Sequence, residues 1–335
     1  MEENVNGARR PGAKSLIVIL CVIGLVAGLG TWLYIDSRGE QDSCQELLQH
    51  ERIPATLELA YESDLSCAEL GAAIKRATTG PQTEQHSLDQ AQAMKNVLVA
   101  IDNVIGEGPA PLDQQLTGPV SMALADYAED MHAMLTPGNT EYARRALPSE
   151  KAWTDSEGVH MSIPLKSLVR IMTSLSVDPE AYATLRDAMT QQAAQEFAAA
   201  PRSKSKEALS PYPPITAWTL GTMDAVANAA REKAGKENSK DWEEKTFTRL
   251  SSKKAGQVPS FDEDPAGHIV ATWRKSLPSD PPDDLIEVLE AQSTELVRVW
   301  STALGTSSKV QASLVNDARG AAWSAQDSTL RDLRG

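Results

Sequence analysis

Apolar positions fall into two patterns: one unbroken run near the N-terminus, then a long succession of helical spacings interrupted by proline and glycine. The run is residues 15–35, SLIVILCVIGLVAGLGTWLYI. From Leu16 to Ile35 it carries no charge, and at 1.5 Å per residue it spans about 30 Å, the thickness of a bilayer's hydrocarbon core. The pattern predicts a transmembrane helix. After it, residues 41–51 read as a short helix stopping before Pro54. Ser66 with Glu69 and Ser87 with Gln90 are capping-box pairs that open two further helices, closed at Gly80–Pro81 and Gly106.

Further on, Pro119 is expected to start an amphipathic helix with Val120, Leu124, Tyr127, Met131 and Leu135 on one face, ended at Thr136–Pro137–Gly138. Trp153 anchors an irregular loop, and VHMSI at 159–163 is the one short strand candidate. Pro164 precedes LKSLVRIMTSL, and Asp178–Pro179 cap a long Ala-rich helix lined by Tyr182, Leu185, Met189, Ala193 and Phe197. Residues 201–213, polar, basic and interrupted by Pro211 and Pro213, read as a linker. Helices then follow from Pro214, around Trp242, after Asp264–Pro265, over Asp283–Leu304 and from Ser308 to Leu333. The resulting expectation is all-α: a single N-terminal transmembrane helix followed by a multi-helix, bundle-like extracytoplasmic domain. Its parts are a cytoplasmic tail (1–14), the span (15–35), helical regions 36–200 and 214–335, and the linker between them, the two regions packing as one domain or two.

Charge orients the span. Arg9, Arg10 and Lys14 precede it, whereas Asp36 and Glu40 flank Arg38 after it, so the positive-inside rule keeps the N-terminus cytoplasmic. The expected location is therefore the cell membrane, single-pass, with the C-terminal domain outside the cytoplasm. A cleavable signal with Gly28 and Gly30 at the cleavage site is the alternative, but the apolar run continues through Trp32, Leu33 and Ile35, longer than a signal core. Bulky Ile19 and Leu20 before Cys21 disfavour a lipoprotein. Gly24 and Gly28 form a small-xxx-small pair, the spacing that lets two such helices approach as a homodimer within the membrane.

Outside the membrane, Cys44 and Cys67 are the remaining cysteines, and in an oxidising compartment they are expected to pair as a disulfide worth roughly 3 kcal/mol. The core is built with three Phe, so Leu, Ala, Val and Met must fill it, which suits closely packed helices. The net charge of −14 argues against nucleic-acid binding. Within that acidity, residues 202–254 are a basic island including Arg202, Lys204, Lys206, Lys253 and Lys254, followed by the acidic stretch 255–295. The island either complements that neighbour or docks an anionic envelope component.

Catalytic signatures are sparse. His50, His86, His132, His160 and His268 are scattered, and no H-E-x-x-H, C-x-x-C, G-x-S-x-G or P-loop is present, so neither metal nor cofactor is called for. The nearest approach is Glu129 with His132, an E-x-x-H beside Asp126 and Asp130, read as a solvated acidic helix face. A second pair, Glu157 with His160, straddles Gly158, which disfavours a helix there. The acids at 262–264 and at 280, 283 and 284 sit where helix N-termini want carboxylates, and they lack calcium-loop spacing.

The stretch from Leu165 to Gln192, containing DPEAYATL, with the later DAVANAAREK and NSKDWEEK, resembles helical regions of actinobacterial proteins associated with polymorphic toxins and specialised secretion. The resemblance implies a Gram-positive envelope setting and carries no catalytic residue. Anchor, helices and missing catalytic motif together lead to an expected protein-interaction component of the envelope. The alternatives are an enzyme using the carboxylates at Asp126, Glu129 and Asp130, or a binder of anionic envelope components through the basic island.

Overall fold

A computed structural model describes residues 43–57, 65–80, 85–106, 111–252 and 257–334. The apolar run at 15–35, with Gly24 and Gly28, and also Lys253 and Lys254, lie outside these residues. Among the described residues no helix is long and apolar enough to cross a membrane.

The described chain is mostly helical, with almost no strand. Its elements are α1 (43–49), α2 (Arg52–Thr56), α3 (Cys67–Thr78), α4 (Leu88–Ile105), α5 (Gln114–Ala125), α6 (Ala128–Leu135), α7 (Thr140–Arg145), β1 (Trp153–Thr154), β2 (Val159–His160), α8 (Leu165–Leu175) and α9 (Pro179–Ala199). There follow α10 (Lys206–Leu209), α11 (Tyr212–Ala234), α12 (Ser239–Ser252), α13 (Pro265–Ser276), α14 (Leu285–Ala303) and α15 (Ser308–Arg334). Local chemistry sets many of these ends. Both capping boxes form, with Ser66 and Ser87 accepting from the Glu69 and Gln90 amides. Asp178, Asp264 and Asp284 cap α9, α13 and α14 with their carboxylates. Gly106, Gly138 and Gly235 end or follow helices at φ of 64°, 79° and 81°, where other residues would be strained. Cys44 and Cys67 are joined in a disulfide, tying α1 to α3 with Cα atoms 5.9 Å apart.

The first helix stops before Pro54 as expected, at residue 49, and Pro54 itself lies in the first turn of α2, where its missing N–H has no helical acceptor. Two other expected boundaries move. Pro119 does not start its helix: Asp113 caps α5 by accepting from the Gln115 amide at 2.7 Å, and Pro119 lies within. The Gln115 carbonyl that Pro119 cannot reach is faced by Gly71 of α3, where a Cβ would sit 3.2 Å from that oxygen and 2.9 Å from Pro119 Cγ. The expected long helix also breaks at Tyr127, whose hydroxyl donates to the Thr78 carbonyl at 2.6 Å while its ring stacks on His86. VHMSI supplies β2, and its partner β1, formed by Trp153 and Thr154 where a loop was expected, pairs antiparallel with it (Trp153 with His160, Thr154 with Val159).

Segment 201–213, expected as a linker, holds α10 and the first turn of α11, with Leu209 and Pro213 buried. Its prolines are compatible with helix because Pro211 is the N-cap of α11 and Pro213 lies in the first turn. One hydrophobic core runs across it, joining Leu98, Leu124, Met172 and Tyr182 to Leu220, Trp242, Leu296 and Trp300. At its centre α9 packs against α5, α6, α8, α11, α12 and α13, so residues on every side of it are buried.

Buried among these helices, Arg186 of α9 is fully enclosed. It donates to Asp224 of α11 at 2.5 Å, to Gln292 of α14 at 2.6 Å, and to the Leu220 and Leu289 carbonyls at 3.2 and 2.8 Å. Gln292 passes the network to Thr190 at 2.9 Å. Every helix it touches is thereby held in register, because each group would otherwise be a buried polar atom without a partner. Burial raises the Asp224 pKa to about 6, with Arg186 pulling the other way. The C-terminal helix α15 closes the fold against α11, where Gly221 lets the two backbones meet: a Cβ there would lie 2.7 Å from Ala322 Cα.

Candidate functional site

Of the residues singled out on α6, Asp130 is not on a solvated face. It is 3% exposed and His132 5%, a correction with a local cause: the β1–β2 hairpin and α9 cover that side of the helix. One Asp130 oxygen accepts from the Tyr142 hydroxyl at 2.6 Å and from His160 Nδ1 at 3.0 Å, and the other accepts from the Met161 amide at 3.1 Å. His160 Nε2 meets Asp155 at 3.0 Å, and Asp155 also holds the hairpin turn by accepting from the Glu157 and Gly158 amides. Trp153 and Tyr142 close over the imidazole, with Arg145 above the indole at 4.7 Å.

The four acidic-cluster residues diverge. Asp130 faces the hairpin, while His132 turns toward Glu196 of α9, Nδ1 lying 3.9 Å from the carboxylate and burial lowering the imidazole pKa. Asp126 lies against His86, its carbonyl 3.1 Å from Nε2 and its carboxylate 3.7 Å from Nδ1. Glu129 is exposed, its pKa raised by partial burial and the surrounding carboxylates against the pull of His160. Asp130 and Asp155 address opposite nitrogens of His160, so they do not converge on a common point. Among the described residues no group of three or more His, Cys, Asp or Glu is placed to hold a metal ion. The chemistry this arrangement supports is a charged staple: His160, with its pKa raised to about 9 by the Asp130 hydrogen bond against the opposing effect of burial, is an imidazolium at neutral pH.

The staple gives stability a pH dependence of definite sign. A histidine pKa raised from 6.5 to about 9 contributes in full below 6.5, and the contribution is lost as pH rises through 9. The size is at most about 3 kcal/mol, since Asp155 is partly in solvent. Urea unfolding of the wild type and of His160→Gln at roughly pH 6 and pH 9.5 should show the gap between them closing by that order. A gap independent of pH would mean that His160 is not charged in the fold.

In the basic island, Arg202 lies over the Phe261 ring at 4.3 Å and 3.8 Å from Asp262. Lys204 Nζ lies beside Gly305, and Lys206 opens α10. Elsewhere in the island Arg231 approaches Asp284 at 3.9 Å, and Lys240 donates to the Asp283 carbonyl at 3.0 Å. The basic and acidic stretches thus meet at several points within the molecule.

A broad concave feature lies elsewhere. A trough between α8, α11 and the end of α15 has two lobes that share Leu135, Leu165 and Trp218 as walls. The first lobe, about 530 Å³, is also lined by Val169, Thr222 and Leu333, and its charged side chains are Lys166, Arg170, Arg331 and Asp332. The second, about 450 Å³, runs over Pro137, Tyr142, Ala146 and Leu147 and is almost entirely apolar. Volumes of this size are those of binding sites. Leu147 and Leu165 remain 57% and 51% exposed, more than large apolar residues need to be. Neither lobe contains any residue that the sequence marks as chemical, because its walls come from segments centred on 135, 165, 218 and 333 that only the fold assembles. The one local signal was Leu165, an apolar residue at the first position of a helix whose buried residues begin at Ser167. Comparison of the chain with protein-family models, with curated proteins and with solved structures returns no match.

Proposed function

We propose that this chain is a membrane-anchored, extracytoplasmic helical protein that acts by binding another protein of the envelope. The observation that carries the reading is the open, apolar two-lobed trough walled by Leu135, Leu165 and Trp218, a surface that gains free energy when covered. The location rests on the uncharged run at 15–35 with Arg9, Arg10 and Lys14 before it. A disulfide between Cys44 and Cys67 suits an oxidising compartment, which supports the same placement. The Arg186 network suits such a role by fixing α11, the helix that carries Trp218 and Thr222 into the trough, so that less ordering is left to the binding step.

Affinity isolation from detergent-solubilised membranes tests the reading. The wild type is expected to bring down a specific envelope protein that Leu165→Asp loses by about tenfold or more, since the substitution removes the apolar wall shared by both lobes and puts in its place a carboxylate that must be desolvated on binding. Leu165 is half exposed, so the substitution should leave the unfolding midpoint near its wild-type value. Recovery of no specific partner, or of the same partner at equal yield with the variant, would overturn the proposal.

A further inference from the structure

We infer that the trough receives an amphipathic helix of the partner, with apolar side chains on the face that enters it and acidic side chains on the flank toward Lys166 and Arg331. The inference rests on the interaction reading above and adds the chemistry of what is bound.

Three observations carry it. The first is shape. Leu165 and Val169 are four residues apart on α8, and Trp218 and Thr222 four apart on α11, so each contributes an i,i+4 ridge to the floor of the first lobe. Two such ridges side by side form the groove into which the side chains of a further helix interdigitate. The mouth is open to solvent along the trough, and a helix can be laid in from outside without threading. An alkyl chain in the same place would leave one side in water.

The second is division of the trough. Trp218, half-buried, stands between the lobes with Leu135 and Leu165, giving two adjacent apolar recesses rather than one. Successive anchors of a helix, one turn or two apart, would occupy one each.

The third is charge. The chain as a whole carries −14, yet three of the four charged side chains lining the first lobe are cationic. Asp102, which accepts from Arg170, and Asp327, which pairs with Arg331 at 3.1 Å, are not part of that lining. Lys166 is exposed and has no ion-pair partner among the described residues. The second lobe offers no charged side chain. Acidic residues on one flank of the bound helix, next to the first lobe, match this polarity and would also be steered in by it.

As the bilayer span of the reading above, residues 15–35 are not available to fill the trough.

The test places a photo-crosslinking amino acid at Leu165 of the full chain in native membranes and identifies the adduct by mass spectrometry. The expected product is a peptide of another protein with apolar residues at i, i+3 or i+4, and i+7, and with Asp or Glu on the neighbouring flank. Lys166→Glu together with Arg331→Glu should cut its yield roughly tenfold, and raised salt should do the same to the wild type. Both residues are exposed, so the double variant's thermal midpoint serves as the folding control. A lipid adduct, an adduct with residues 15–35 or with a second copy of this chain, or a partner peptide without acids would overturn the inference. So would a yield indifferent to both charge reversal and salt, although a specific protein adduct would then leave the interaction reading intact. Absence of any adduct would count against both.

Discussion

Replacing Arg186 with Met is expected to cost about 3–5 kcal/mol of folding stability, one of the two largest effects anticipated for a single substitution in this chain. Most of that is not the lost attraction. Asp224, 2% exposed, would keep its burial and lose the cation 2.5 Å away, while Gln292 and the Leu220 and Leu289 carbonyls would lose their donor. Burial already lifts the Asp224 carboxyl to about 6, and without Arg186 it would rise further. The variant should therefore lose stability as pH climbs from the normal carboxylate range toward neutrality, the sign expected of an acid whose folded pKa is raised. Adding Asp224→Leu should restore a substantial part of the loss, with a coupling energy above about 1 kcal/mol in the four-way cycle. Denaturant titrations of the four proteins measure it; simple additivity would show that the two side chains do not act as a unit.

Gly221→Ala should cost about 3 kcal/mol, more than a single methyl group normally does, because what it meets is main chain. The new Cβ would lie 2.7 Å from Ala322 Cα and 2.8 Å from its carbonyl carbon, and no rotamer can relieve that. The only relief is for α15 to lift off α11, which would also withdraw Leu333 and Arg331 from the trough. Gly320 provides the contrast. It is on α15, and a Cβ added there would meet nothing within 4 Å, so Gly320→Ala should gain roughly 0.5–1 kcal/mol from helix propensity alone. Hydrogen exchange along α15 would read the difference directly: faster in Gly221→Ala, unchanged or slower in Gly320→Ala. Equal exchange in the two variants would mean that the close approach does not hold the helix in place.

What could be read from the sequence and what could not divide along one physical line. Signals confined to a few neighbouring residues were legible: both Ser capping boxes, Asp178–Pro179 and Asp264–Pro265 each mark a helix end with its own hydrogen-bond chemistry, and Pro164 marks the start of α8 by its fixed backbone alone. The pairing of Cys44 with Cys67 followed from compartment and number rather than from position. Pro119 misled because its cost inside a helix depends on what faces the freed carbonyl, and that is Gly71, forty-eight positions earlier in the chain. Asp130 misled for a similar reason. On its own helix it neighbours Glu129 and looks solvated, and only the hairpin carrying His160 and Met161 turns it into an interior acceptor. The trough was illegible because its walls are ordinary Leu, Val and Trp residues, and what distinguishes Leu165 and Trp218 is that they stay open to solvent among the described residues.

In the function proposed above, a helical domain exposed in the envelope binds another envelope protein through this trough. Chemical crosslinking with mass spectrometry in intact membranes tests it most directly, since Lys166 carries an exposed primary amine on the rim. The expected links run from Lys166 to one other envelope protein, and from the domain's remaining lysines to extracytoplasmic surfaces. Links from these lysines to cytoplasmic proteins, or a Lys166 that reacts only within its own chain, would contradict it.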